Sequence, residues 1–148
     1  MKNTVSKEVS LDANSMITSV VCLVLQDCTG AVLATQRPAH KRLGLMWEFP
    51  GGKIEAGENP ENALIREIVE ELCLELEVMR PLPPVIHSYD FGHIRLHPFL
   101  SLCEKRPQFK LTEHIAACWV SLENWSSLHW APADIPIIAY MLKKEIQL

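Results

Sequence analysis

Three glutamates near the middle of the chain, Glu67, Glu70 and Glu71, constrain this sequence more than any other feature. They fall in a stretch that predicts a helix. Asn59 and Pro60 supply a capping side chain and a proline in the first helical position, and Glu61 puts a carboxylate in the first turn, where it suits the helix dipole. Ala63, Leu64, Ile68 and Leu72 then recur at helical spacing as an apolar stripe, so the helix runs to about Cys73. Positions i, i+3 and i+4 share one helical face, which crowds the three carboxylates within a turn of each other. Like charges so placed cost a helix stability. A hard divalent cation reverses that cost, because Mg²⁺ and Mn²⁺ prefer oxygen ligands from carboxylates, water and phosphates. A solvated acidic face is the competing reading for Glu70 and Glu71 taken alone. The surroundings tell against it: Gly52 and Glu58 precede the helix, and Arg66 stands next to Glu67, where an ion pair with Glu58 would lock the loop to the helix.

The rest of the chain reads as strands around that helix. Residues 16–25 are a β-branched apolar run, residues 26–30 a turn, and residues 31–36 a returning strand. Residues 38–46 form a loop, and Trp47-Glu48-Phe49-Pro50 alternates briefly before Gly51-Gly52. Residues 74–80 and 84–91 look like strand material interrupted by Pro81, Pro83 and Pro84, and residues 93–104 and 115–122 are further strands. A second helix starts at residues 131–134 and continues to the end, with Lys143 and Lys144 suited to its C-terminal dipole. This order predicts an α/β sandwich with a mixed sheet. The 148 residues fit one domain at residues 16–148, preceded by a polar, flexible tail at residues 1–15 that lacks the apolar middle of a signal peptide.

A net charge of −4 provides no global basic field for a nucleic-acid polymer or a membrane, so a phosphate ligand would need a local device or a metal. No stretch is long and apolar enough to span a bilayer. The five cysteines form no C-x-x-C pair; Cys22, Cys103 and Cys118 read as small core residues, and a reduced, cytoplasmic setting is expected. His87, His93 and His97 read as half-exposed strand residues rather than metal ligands. Tyr89, Phe91 and Trp130 are candidates to stack on a base, with burial in the core as the alternative.

Residues 52–74 resemble the Nudix box, G-x5-E-x7-R-E-U-x-E-E-x-G-U with U aliphatic, at Gly52, Glu58, Arg66, Glu67, Ile68, Glu70, Glu71 and Leu74. At average usages of about 7% each, the six glycine and charged positions coincide by chance at roughly 10⁻⁷ per starting point. Cys73 departs from the pattern, which has glycine there. Either a cysteine held left-handed at that helix end costs about 1 kcal/mol, or the turn differs locally. The run from Trp47 to Glu55 resembles the segment before the box in the MutT subfamily, and the likeness covers roughly residues 16–148.

The resemblance implies a Nudix fold, an α/β/α sandwich, and a MutT-like hydrolase that cleaves nucleoside triphosphates, oxidised guanine nucleotides such as 8-oxo-dGTP in particular, to the monophosphate and pyrophosphate. Such an enzyme cleans the nucleotide pool. The resemblance also implies that the Gly51 carbonyl and the carboxylates of Glu67, Glu70 and Glu71 bind Mg²⁺ (or Mn²⁺), that Glu58 and Arg66 form a supporting pair, and that Lys53 lies near the phosphates. Glu113 has the spacing of a further acidic ligand or base. The resemblance also places attack on the β-phosphorus, with Glu67 or Glu113 taking the proton of the water. Arg37 corresponds to a residue near the sugar or phosphate, and Asp134 to one that touches the base. Each has a plainer alternative, a solvated loop charge for Arg37 and Glu113 and a helix N-terminal charge for Asp134. Phe91 completes the candidate substrate-binding set. The segment from Tyr89 to His93 is shorter than its MutT counterpart and lacks the arginine there. Cytidine triphosphates are the alternative substrates, and a nucleotide-binding module without turnover is the alternative of another class. The expected working state is a monomer or a homodimer.

Overall fold

The computed structural model describes residues 16–147, with side chains described as far as Lys144. The tail expected at residues 1–15 lies outside the described residues. The strands are β1 (Ile17–Gln26), β2 (Val32–Gln36), β3 (Trp47–Glu48), β4 (Gly51–Lys53), β5 (Arg80–Pro81), β6 (Val85–Tyr89), β7 (Gly92–Leu102) and β8 (Ala116–Val120). Two α-helices, α1 (Pro60–Leu72) and α2 (Ile135–Gln147), flank them. All strands belong to one eight-stranded sheet with the path β3-β2-β1-β7-β5; β4 adds to β1, β6 to β7 and β8 to β2. The sheet is mixed because β1 and β7 run parallel, from Ile17↔His93 to Gln26↔Leu102, while the other pairs are antiparallel.

The period-2 geometry of β1 divides the core. Val21, Leu23 and Leu25 face one side and meet Ala63, Leu64, Ile68 and Leu72 of α1. Cys22 and Val24 face the other and meet Ile137, Ile138 and Met141 of α2 with Trp130. Helices on both faces make the α/β/α sandwich expected from the sequence. The apolar stripe of α1 is entirely excluded from solvent, and each such Leu or Ile contributes about 1.5–3 kcal/mol. The helix starts as predicted, with the Asn59 side chain accepting from the Asn62 N–H at 2.8 Å. It ends on Cys73 at φ 54°, ψ 41°, whose N–H donates to the Val69 carbonyl. The left-handed end is therefore kept without glycine.

The β1–β2 turn is held by one carboxylate. Asp27 Oδ1 accepts from the Thr29 N–H (2.9 Å), the Thr29 hydroxyl (2.6 Å) and the Ala31 N–H (3.0 Å), and Oδ2 accepts from Arg106 Nε (2.7 Å). The Thr29 hydroxyl, followed by the Arg106 guanidinium and the two N–H groups, holds the Asp27 carboxyl down at about 2 against the opposing effect of burial. A folded-state pKa below the unfolded value stabilises the fold above the unfolded pKa of about 4, and the gain is lost as pH falls through the folded value. Asp27→Ala is accordingly expected to lower the melting temperature by roughly 5 °C at pH 7. The gap should narrow as the pH is taken below 4, which melts at stepped pH values will show.

Two expectations need correction. Residues 74–80 do not form a strand: the backbone there is irregular, and only Arg80–Pro81 pairs, with Leu100 and Phe99 of β7. The alternation of Leu74 and Leu76 is real, but those side chains pack against the α1-side core with Met79, and no neighbouring strand takes up the intervening backbone. The second helix also begins later than its first polar turn suggests. Pro132–Asp134 is a 3-10 turn closed by the Asp134 N–H on the Ala131 carbonyl at 3.0 Å, and regular helix starts at Ile135.

Candidate active site

The exposed edge of α1 carries a network centred on Arg66. Its Nε and Nη2 grip both oxygens of Glu58 at 2.8 and 2.9 Å, and Nη2 also reaches the Lys53 carbonyl at 3.0 Å. Nη1 lies 2.9 Å from Glu67 Oε2 and 3.4 Å from Glu70 Oε1. The bidentate fork fixes the loop from Lys53 to Glu58 against the helix, as expected of the pair. Its hydrogen bonds, followed by the Glu55 N–H, hold the Glu58 carboxyl down at about 2, and the same bonds from Arg66 to Glu58 raise the Arg66 pKa.

Gly51 and Gly52 bring the sheet within reach of these carboxylates. Bonds from Leu23 N to the Pro50 carbonyl and from Ile54 N to the Ser19 carbonyl fix the β1–β4 ladder, in which Cys22 stands opposite Gly51. The alternation of an antiparallel ladder then turns the N–H and C=O of Gly51 away from β1. The N–H donates to Glu71 Oε1 at 3.1 Å, so the Gly51 carbonyl points to the carboxylate side. Gly52 is required by close approach: a Cβ there would overlap the Glu67 carboxylate.

Glu71 is buried, its carboxyl pushed up to about 9 by burial and then by the charges of Glu48, Glu67 and Glu113. Burial also raises the Glu67 carboxyl, partly offset by Arg66. Among the described residues, no three His, Cys, Asp or Glu side chains converge on one point as a ready-made cage; their oxygens turn instead to Arg66 and to the Gly51 N–H. The donor chemistry nevertheless fits a hard divalent cation. It is all oxygen, gathered from one helical turn, one carbonyl and Glu113, and the crowding that raises Glu71 is what an added cation relieves.

These groups line one side of a cleft of about 710 Å³, together with Lys53 and Glu113. The same cleft extends past Glu48 to Tyr89, Phe91 and Asp134. Asp134 is buried, and Oδ2 accepts from the Phe49 N–H at 2.7 Å. Burial, then the charge of Glu48, pushes its carboxyl well above the usual range. Asp134 thus also ties the 3-10 turn before α2 to the backbone of Phe49. Phe91, in the tight β6–β7 turn, stacks on Tyr89 with centroids 4.9 Å apart and planes 9° apart, and the Arg42 guanidinium sits 4.4 Å over its ring. Tyr89 Oη accepts from the Ala133 N–H at 2.8 Å. Trp130 belongs to the core, packed on Phe49, and the three strand histidines named above are half-exposed as expected.

Arg37 also lines the cleft, but its guanidinium is engaged: Nη1 meets the Glu48 carboxylate at 3.2 Å and Nε meets the Arg42 carbonyl at 2.6 Å. The loop after it carries two leucines in left-handed conformation, Leu43 (φ 57°) and Leu45 (φ 65°), each a local strain of about 1 kcal/mol. That loop brings Lys41 Nζ to 3.6 Å from Glu113. The structure thus gathers Gly51, Lys53, Glu67, Glu70, Glu71 and Glu113 with Arg37, Phe91 and Asp134 on one cleft, and Glu58 and Arg66 support it from beside. Sequence reasoning missed Glu48, His114, Lys41 and Arg42. Glu48 had a visible signal, as the one charged residue alternating with Trp47 and Phe49 before the glycines; the others lie in loops without periodicity.

A family model described as NUDIX domain matches residues 16–141. The chain is 39% identical over 97 residues to an 8-oxo-dGTP diphosphatase of Proteus vulgaris, covering 66% of this chain and 84% of that protein. It is 34% identical over 123 residues to the CTP pyrophosphohydrolase of Escherichia coli (strain K12), covering 83% and 89%. The solution structure of the E. coli ORF135 protein superposes with a TM-score of 0.75 at 30% identity, over 89% of this chain and 93% of that one.

Proposed function

The chain belongs to the NUDIX domain family, and on that premise we propose that it is a MutT-like nucleoside triphosphate pyrophosphohydrolase that cuts oxidised guanine nucleotides such as 8-oxo-dGTP to the monophosphate and pyrophosphate. The observation that carries this reading is the single cleft that joins the acidic turn of α1 to the aromatic and acidic groups at Tyr89, Phe91 and Asp134. It can hold a phosphate chain at one part and a base at the other. The relatives named for 8-oxo-dGTP and CTP support the substrate class.

Gly51, Glu67, Glu70 and Glu71, with Glu113, would hold Mg²⁺ or Mn²⁺. When bound, such an ion neutralises phosphate charge and stabilises the charge that develops during phosphoryl transfer. The chain's own groups do the rest. Lys53 places an ammonium at the cleft for the phosphates. Arg66 holds Glu67 Oε2 and leaves Oε1 to accept a proton from the water that attacks the β-phosphorus; the raised pKa of Glu67 makes it the stronger base. Glu113 is the second candidate for that proton. At the other end, the Phe91–Tyr89 pair offers a flat apolar surface to a base. An Asp134 carboxyl with a raised pKa can donate as well as accept.

Pyrophosphate release in Mg²⁺ across 8-oxo-dGTP, dGTP, CTP, dCTP and a modified dCTP tests the reading. The expected result is the highest kcat/KM for 8-oxo-dGTP, with pyrophosphate rather than phosphate as product. A preference for a cytidine nucleotide would replace the substrate and keep the chemistry. No release from any nucleotide would refute hydrolysis and leave a binding module.

A further inference from the structure

His114 is a deeply buried ionisable side chain of the cleft that the chemistry above does not use. Its side chain is 4% exposed, Nε2 lies 2.9 Å from Glu48 Oε2, and Nδ1 has no hydrogen-bond partner. The unpartnered nitrogen is a cost that the Nε2–Glu48 bond has to offset and that an apolar side chain would avoid. The arrangement also selects a tautomer. A proton on Nε2 is received by Glu48, whereas a proton on Nδ1 would be stranded.

The backbone on either side of His114 is tied at both ends. Upstream, Thr112 N and Oγ1 bond the carbonyls of Glu71 and Glu70 at 3.2 and 2.7 Å; downstream, Ile115 N bonds the Gln36 carbonyl at 3.0 Å. Glu48 itself sits on a strand of only two residues. Its other partner, Arg37, is bonded to the Arg42 carbonyl and so belongs to the strained loop. His114 is thus the contact that refers the Glu48 carboxylate to the C-terminal turn of α1, where the metal-binding glutamates sit.

We propose that His114 is a positioning residue that donates through Nε2 to Glu48 and fixes that carboxylate as an acceptor for the nucleoside part of the substrate, at a set distance from the phosphate part. The inference rests on the proposed function for its substrate and on this bond for its geometry. Loss of an interaction made equally in the ground and transition states raises KM and spares kcat, so His114→Ala is expected to raise KM for 8-oxo-dGTP by about tenfold with kcat within about twofold. His114→Gln, whose amide nitrogen reaches the position of Nε2, should restore KM. His114→Asn, whose amide ends near Nδ1, should not. Binding of 8-oxo-dGMP to the same variants should shift in parallel. Imidazole ¹⁵N shifts of the nucleotide-free protein should show Nε2 carrying a proton, with its shift moved in Glu48→Ala. A fall in kcat at constant KM, a glutamine variant no better than asparagine, or Nε2 found without a proton would each overturn the proposal. Absent turnover with the shift in monophosphate binding intact would sink the hydrolase reading alone; no turnover and no binding would sink both.

Discussion

Glu71→Gln is expected to lower kcat by about 10³-fold and to leave the metal-free protein at least as stable as the parent. Both halves follow from the placement of one side chain. Glu71 is buried on the inner edge of α1, and its carboxyl is pushed up by burial and by Glu48, Glu67 and Glu113. Glutamine keeps an oxygen to accept the Gly51 N–H and, being neutral, matches the protonated carboxyl that these surroundings favour in the absence of a cation. The apo fold loses nothing, while the oxygen set loses a carboxylate. The opposed signs separate a functional group from a structural one, because a merely structural glutamate at this depth would show the reverse. Steady-state pyrophosphate release and melts in chelator measure the two. Glu70→Gln, at a more exposed position, should share the loss of turnover with little change in melting. An unchanged rate in either variant would remove the metal assignment.

The second large effect comes from a methyl group. Gly52→Ala places Cβ against the carboxylate carbon and both oxygens of Glu67. The obstructed atoms are the end of a flexible side chain, so the helix can stay folded while the carboxylate swings aside. A displacement of about 1 Å in a reacting group costs about 10²-fold in rate, and that is the expected fall in kcat at a nearly constant melting temperature. Gly51→Ala provides the contrast. Its Cβ would overlap the Val21 carbonyl, which cannot swing away, so that variant should lose stability rather than turnover alone. Full activity in Gly52→Ala would show that Glu67 does not act from its observed position.

Local patterns carried over into structure where one element alone decides the outcome. The α1 stripe, the Asn59 cap, the left-handed Cys73 and the common face of Glu67, Glu70 and Glu71 each depend on residues within a few positions of one another. So does the grip of Arg66 on Glu58, which spans eight residues. The misread strand at residues 74–80 shows the limit: alternation reports which side chains are buried, and only a neighbouring strand makes it a ladder. The part of the cleft at Glu48, Tyr89, Phe91 and Asp134 was legible mainly through the family resemblance, because its geometry is assembled from distant pieces. Glu48 meets His114 across 66 positions and Phe49 meets Asp134 across 85. No periodicity encodes such a meeting.

Binding of Mn²⁺, followed by electron paramagnetic resonance of the free ion, addresses the acidic turn of α1 without relying on any substrate. The parent chain should take up the ion and, with a triphosphate analogue that resists hydrolysis, take it up more tightly. Glu70→Gln and Glu71→Gln should each weaken uptake by at least about tenfold. Equal uptake by the parent and both variants would place the cation elsewhere and contradict the assignment of these glutamates as its ligands.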